Sequence, residues 1–172
     1  MAHEVITGTG LSKIATAAGT GSQVEITEVA LGDGNGAVYT PDGSEAALRN
    51  ERARVMVDTR YQLNPTDWRV SASFPPPPST HTVREVGFFD GDGDLIFLTA
   101  YEAAEAHQVG GYEYVLDHVL SFANVDDGVA IVDAPDDEVF HHAVLDLEFH
   151  ALTGAEQARQ RMMFEALQRK GG

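Results

Sequence analysis

The chain has 172 residues, 43% of them apolar, which suits one domain with a short appendage and a real core. Against 27 Asp and Glu stand only 11 Lys and Arg, a formal net charge of −16; such a surface repels nucleic acid and anionic lipid and keeps a multicopy component soluble. The absence of cysteine excludes disulfides, Cys-ligated zinc and thiol catalysis, and no stretch approaches the roughly 20 apolar residues of a membrane span. The N-terminus, Met1-Ala2-His3-Glu4, carries no leader signal, so synthesis in the cytoplasm is expected.

In chain order, Thr9 precedes Leu11, Ile14, Ala15, Ala17 and Ala18, the pattern of a short helix closed by Gly19 and Gly21. Residues 23–31 are rich in Val, Ile and Thr and read as a strand, whose apolar register slips after Ile26, predicting a bulge. Gly32 to Gly36 is a loop, and Asp42 to Arg49 suits one helical turn. From Arg52 to Arg60, Ala53, Val55, Val57 and Thr59 alternate with polar neighbours, predicting one strand. After the turn Asn64-Pro65-Thr66-Asp67, a second strand buries Trp68, Val70, Ala72 and Phe74. Four prolines, Pro75 to Pro78, then stop the sheet, since proline donates nothing to a ladder; they suit a stiff polyproline II excursion. Residues 82–89 and 95–101 form a hairpin across Asp90-Gly91-Asp92-Gly93-Asp94. Tyr112 to Ala123 reads as the longest strand, turned back through residues 124–128 into Val129 to Val132.

The pattern changes at Asp133. An acidic, proline-marked start is followed by a helical stripe of Phe140, Val144, Leu147 and Ala151, with Leu152 beside it. The capping box Thr153-Gly154-Ala155-Glu156 then opens a second helix carrying Met162, Met163 and Leu167. The expected fold is α+β: an antiparallel β-sheet or sandwich domain over 1–133 with a short N-terminal helix, and a C-terminal helical hairpin over 134–172. Phe140, Val144, Leu147, Ala151, Leu152, Met162, Met163 and Leu167 make a large apolar surface, covered either by the β domain or by other chains.

Candidate sites for chemistry are poor. Counted from Asp90, the acidic turn places Leu95 where an EF-hand needs glycine and Tyr101 where it needs a bidentate Glu, so it reads as a turn and not a calcium loop. His141 and His142 are adjacent on a helix and cannot share a metal; His142 and His150 lie two turns apart, so all three read as solvated or interface residues. Gly32-Asp33-Gly34-Asn35-Gly36 lacks the Lys and Ser/Thr of a phosphate loop. No metal, cofactor or catalytic residue is expected. Arg52, Arg54 and Arg60 share one strand face, where they pair most simply with the chain's own carboxylates; the functional alternative is docking of an acidic partner.

Four segments fall in a telling order: Thr9-Gly10-Leu11-Ser12-Lys13-Ile14-Ala15, then Val24 to Gly34, then Leu48-Arg49-Asn50-Glu51-Arg52, then Val83-Arg84-Glu85-Val86-Gly87-Phe88-Phe89-Asp90. Together they resemble the N-terminal domain of phage tail-collar fibre proteins, over roughly residues 8 to 133. The resemblance implies a virion structural protein and no enzyme: a homotrimer at the base of a tail fibre, attached to baseplate proteins, assembled in the host cytoplasm and located in the phage tail. In place of a long stalk, only the helical residues 134–172 follow. That departure implies an adaptor or very short fibre that oligomerises or holds a distal tail-fibre protein. Two other classes stand beside it, a host-surface carbohydrate-binding or glycan-cleaving module and a fibre-assembly chaperone.

Overall fold

The computed structural model describes residues 2–122, 130–147, 151 and 159. The chain divides into two compact units, Met1–Asp136 and Asp137–Gly172. In the first, β1 (His3–Ile6), β8 (Leu95–Ala100), β7 (Glu85–Asp90), β2 (Val24–Gly32) and β11 (Ala130–Val132) lie side by side in that order, and β3 (Glu51–Met56) shares the edge of β2 with β11. A second sheet runs β10 (Tyr114–Ser121), β5 (Asp67–Phe74), β4 (Thr59–Asn64), and a two-stranded ribbon joins β6 (His81–Val83) to β9 (His107–Val109). With α1 (Gly8–Thr20) and helical residues 138–147 (α2) in the second unit, the architecture is α+β.

Alternation accounts for the strands. In β5, Trp68, Val70, Ala72 and Phe74 are buried and the residues between them are half-buried, while Leu116 and Leu120 of β10 face the same side. β7 and β8 are buried along their whole length, as befits central strands with both faces covered. Side chains from both sheets, among them Ile26, Val29, Val70, Phe74, Phe88, Phe97 and Leu120, join one apolar cluster. The register slip foreseen after Ile26 is present: the pairing of β2 with β7 shifts between Ile26 and Glu28.

Several expectations need correction. The cap of α1 is Thr7, not Thr9: its hydroxyl accepts the Gly10 N–H at 3.0 Å and donates to the Leu95 carbonyl at 2.5 Å, so a fully buried side chain fixes the helix to β8. The helix ends where Gly21 takes φ 71°, a left-handed value that suits glycine. Residues 42–49 form no helical turn and belong to an irregular loop. The single strand read over Arg52 to Arg60 is two strands in different sheets. Val57 donates its N–H to Thr27 in the first sheet, and the next residue, Asp58, donates to Ser71 in the second. The alternation continues across this switch because the core lies between the two strands' partners. The longest strand is β2, with 9 residues, rather than β10. β11 does not fold back on β10 as a hairpin; it pairs parallel with β2, Ala130 opposite Val24, while the expected turn over 124–128 lies outside the described residues.

Candidate functional site

Glu85 opens β7 and is fully buried, a placement that a carboxylate tolerates only when its oxygens are occupied. They are. Oε1 accepts the N–H groups of Gly34 at 3.2 Å and Asn50 at 3.0 Å; Oε2 accepts the Arg49 N–H at 3.1 Å and the Tyr39 hydroxyl at 2.5 Å. Four donors meet four lone-pair directions, and the guanidinium of Arg49 lies over the Tyr39 ring at 3.6 Å. Burial and the bond to Glu85 push the Tyr39 hydroxyl well above its ordinary pKa, so it stays a donor. Gly32 is required beside this group, because a Cβ there would lie 2.4 Å from Oε1 of Glu85.

Asp33 continues the knot. Its carboxylate takes Asn35 N–H at 2.9 Å, the Asn50 amide at 2.8 Å and two nitrogens of Arg52 at 2.7 and 2.5 Å. Burial would raise its pKa, yet the bonds from Arg52 and Asn50 outweigh burial and lower it. Arg84 closes the other side, donating its backbone N–H to Gly32 at 2.9 Å and a guanidinium N–H to the Asp33 carbonyl at 3.3 Å.

A second polar knot gathers the acidic turn. The Lys13 ammonium, on α1, lies 2.6 Å from Asp90, 2.8 Å from Asp92 and 2.6 Å from Asp94. One oxygen from each of the three acids falls within 4.8 Å of the others, a spacing that a cation needs, and the ammonium supplies the positive charge. Burial opposes the charge on Lys13, but the three carboxylates outweigh it and raise its pKa, while the bond from Lys13 lowers that of Asp92. The turn itself is local: Asp90 Oδ1 accepts the N–H groups of Asp92 and Asp94, and Gly93 N–H returns to the Asp90 carbonyl.

The three arginines singled out in the sequence all find carboxylates of their own chain. Arg52 pairs with Asp33, Arg54 with Glu28 and Glu51, and Arg60 with Asp136 at 3.4 Å while also donating to the Val132 carbonyl. Arg54 also covers the Phe89 ring at 3.6 Å. In the second unit, α2 carries Phe140 and Val144, half-buried, and Leu147, 74% exposed; Ala151 is helical and exposed. Leu152, Met162, Met163 and Leu167 lie outside the described residues, as do His150 and the expected second helix. His141 and His142 are exposed, and His142 stands 3.9 Å from Glu138 one turn earlier.

Periodicity offered no sign of either knot, because Glu85 lies 35 to 51 residues from the donors that surround it and Lys13 lies 77 residues from Asp90 and 79 from Asp92. The segments that carry the family resemblance did contain them. Gly32 to Gly34, Arg49 to Arg52 and Arg84-Glu85 meet at the first knot; Lys13 and Asp90 meet at the second. Residues 1–127 match the family described as phage tail-collar fibre protein, N-terminal. No curated protein and no solved structure matches the chain. No helix among the described residues is long and apolar enough to cross a membrane. The order of motifs, their convergence on two polar knots and a match over most of the chain agree: this protein belongs to the phage tail-collar fibre family and is a structural component of the phage tail.

Proposed function

We propose that the chain is the base or adaptor of a tail fibre: residues 1–133 attach to baseplate proteins, and residues 134–172 oligomerise as a homotrimer or hold a distal fibre protein. In this reading the two sheets form a sandwich and the C-terminal segment a helical hairpin. One observation carries it, namely that α2 presents apolar side chains to solvent, with Val139 82% and Leu147 74% exposed. A short helix that leaves such residues uncovered gains most when other chains bury them. Arg52 and Arg54 of β3 and Arg60 of β4 stand in different sheets and not on one strand face, and each guanidinium is already engaged, so an acidic partner docks there only by exchange.

The test is the solution mass of the full chain beside a truncation, by light scattering. The cut belongs after Asp136 and not after Asp133, because the Arg60 backbone N–H donates to the Pro135 carbonyl at 2.8 Å and its guanidinium forms an ion pair with Asp136 at 3.4 Å. A trimer that falls to monomer on truncation is the expected result. A trimer in both would move the interface into the β unit, and monomers in both would overturn the trimer.

A further inference from the structure

The chain has four asparagines, and they are followed by Gly36, Glu51, Pro65 and Val125. Asparagine ahead of glycine is the pairing most open to spontaneous deamidation, because glycine has no side chain to shield its backbone nitrogen. That nitrogen, once it has given its proton to water or hydroxide, attacks Cγ of the asparagine. A C–N bond forms, ammonia leaves, and the two residues share a cyclic succinimide. Water then opens the ring at either carbonyl to leave aspartate or isoaspartate, with no oxidant or reductant involved. Asn35 and Gly36 are both exposed, so solvent reaches the reacting atoms.

The backbone nevertheless holds those atoms apart. Asn35 takes φ 55° and ψ 37°, the left-handed region that asparagine enters more readily than most residues. Ring closure needs Cβ of Asn35 and the Gly36 nitrogen on the same side of the Cα–C bond, and this ψ sets them nearly opposite. Bonds on both sides of residue 35 keep it there. Gly36 donates its N–H to the Asp33 carbonyl at 3.0 Å, Ala37 to the Gly34 carbonyl at 3.2 Å, and Asn35 to the Asp33 carboxylate at 2.9 Å. Asp33 is itself anchored: its N–H reaches the Asn50 carbonyl at 3.1 Å, its carboxylate is held by Arg52, and its carbonyl also takes Arg84. Turning Asn35 into the reactive conformation therefore breaks the Gly36 bond and works against the Asp33–Arg52 pair.

We propose that Asn35 is a deamidation site gated by this turn: the folded chain keeps its amide, and conversion to aspartate or isoaspartate proceeds through local opening of residues 33–37. The site is independent of the fibre-base reading. Aspartate can resume the left-handed turn, whereas isoaspartate carries the main chain through Cβ and displaces the Gly36 N–H from the Asp33 carbonyl. The test incubates the full chain at mildly alkaline pH, folded in buffer and unfolded in guanidinium. The peptide containing residue 35 is followed by mass spectrometry, and hydrogen exchange of the Gly36 amide is measured beside it. Deamidation is expected to be about a hundredfold slower in the folded chain. Folded Arg52→Gln, which frees the Asp33 carboxylate, should react about tenfold faster than the folded unchanged chain, with Gly36 exchange accelerated in step. Lys13→Met, which alters the other knot, should leave the rate at residue 35 unchanged. Circular dichroism and thermal melting check folding; if Arg52→Gln does not fold, guanidinium below the unfolding transition takes its place on the unchanged chain, and deamidation and exchange should rise together. Equal rates in the folded and unfolded chains would overturn the gate, as would an unaltered rate in folded Arg52→Gln or deamidation that rises without exchange. An equal rise in Lys13→Met would overturn local control by this turn.

Discussion

Glu85 and Asp90 stand at the two ends of the same strand, and their carboxylates are satisfied by different chemistry. At the buried end, Glu85 is surrounded by three backbone N–H groups and one phenol, with no cation in direct contact. At the outer end, Asp90 shares an ammonium with Asp92, which is 82% exposed, and Asp94, which is 47% exposed. Depth explains the choice. Bringing a lysine to the inner site would desolvate a second ion, whereas backbone donors at a loop's feet must find acceptors in any case. Asp90 is itself buried, with 8% of its side chain exposed, but Asp92 and Asp94 reach water, so one lysine on α1 is enough to hold three mutually repelling acids in a tight turn. The inner knot therefore fixes the fold, and the outer one trims a surface.

The sharpest way to break this contrast is Glu85→Ala, which strands four donors. A loss of about 4 kcal/mol is expected in urea unfolding, with faster hydrogen exchange at Gly34, Arg49 and Asn50. A third means of handling a buried titratable group is to leave it uncharged, as at His118. Its side chain is 10% exposed, stacks on Phe88 at 5.2 Å and stands 3.7 Å from Glu4. Burial lowers its pKa to about 4, and the nearby Asp117 only partly opposes this. The unfolded chain, with an ordinary histidine near 6.5, therefore takes up the proton first. Stability contributed at neutral pH falls as pH drops from about 7 to about 4, by roughly 3 kcal/mol in total. His118→Gln should flatten that limb in urea titrations at a series of pH values; an unchanged slope would mean that the ring ionises freely in place.

Gly32→Ala tests the inner knot sterically. The new methyl meets Glu85, and a cost of about 2 kcal/mol in thermal or urea unfolding is expected. The smallest effect belongs to Lys13→Met, about 1 kcal/mol and shrinking as salt is raised, because water and counter-ions replace the ammonium at the exposed acids. If Lys13→Met cost as much as Glu85→Ala, depth would not be what separates the two sites.

Several strands were legible because side-chain alternation and proline breaks are local, but β1 and β9 were not expected, and the strand read over 82–89 divides into β6 and β7 in different sheets. β5 stops at Phe74, immediately before the four prolines, and β7 and β8 pair as the hairpin that the acidic glycine turn suggested. Sheet membership was not legible. Residues 52–60 alternate without interruption although the hydrogen bonds pass from one sheet to the other between Val57 and Asp58, since the two partners enclose one core. Nor could spacing show why Glu85 sits in an apolar run, because its donors come from a loop that folds over it from 35 to 51 residues away. Thr9 looked like a cap because it precedes the apolar stripe, but Thr7 holds the position through its bond to Leu95, 88 residues on.

The backbone hydrogen bond from the Asp33 N–H to the Asn50 carbonyl, 3.1 Å long, closes the irregular segment between β2 and β3 into a ring. With both feet pinned, residues inserted between Tyr39 and Leu48 lengthen a closed ring and leave strand register alone. Polymer statistics make such growth inexpensive: doubling a flexible loop adds only about 0.6 kcal/mol of closure entropy. The same β scaffold is thus suited to accept loops of different length and sequence between β2 and β3 without refolding, because the bonds that fix the fold lie underneath.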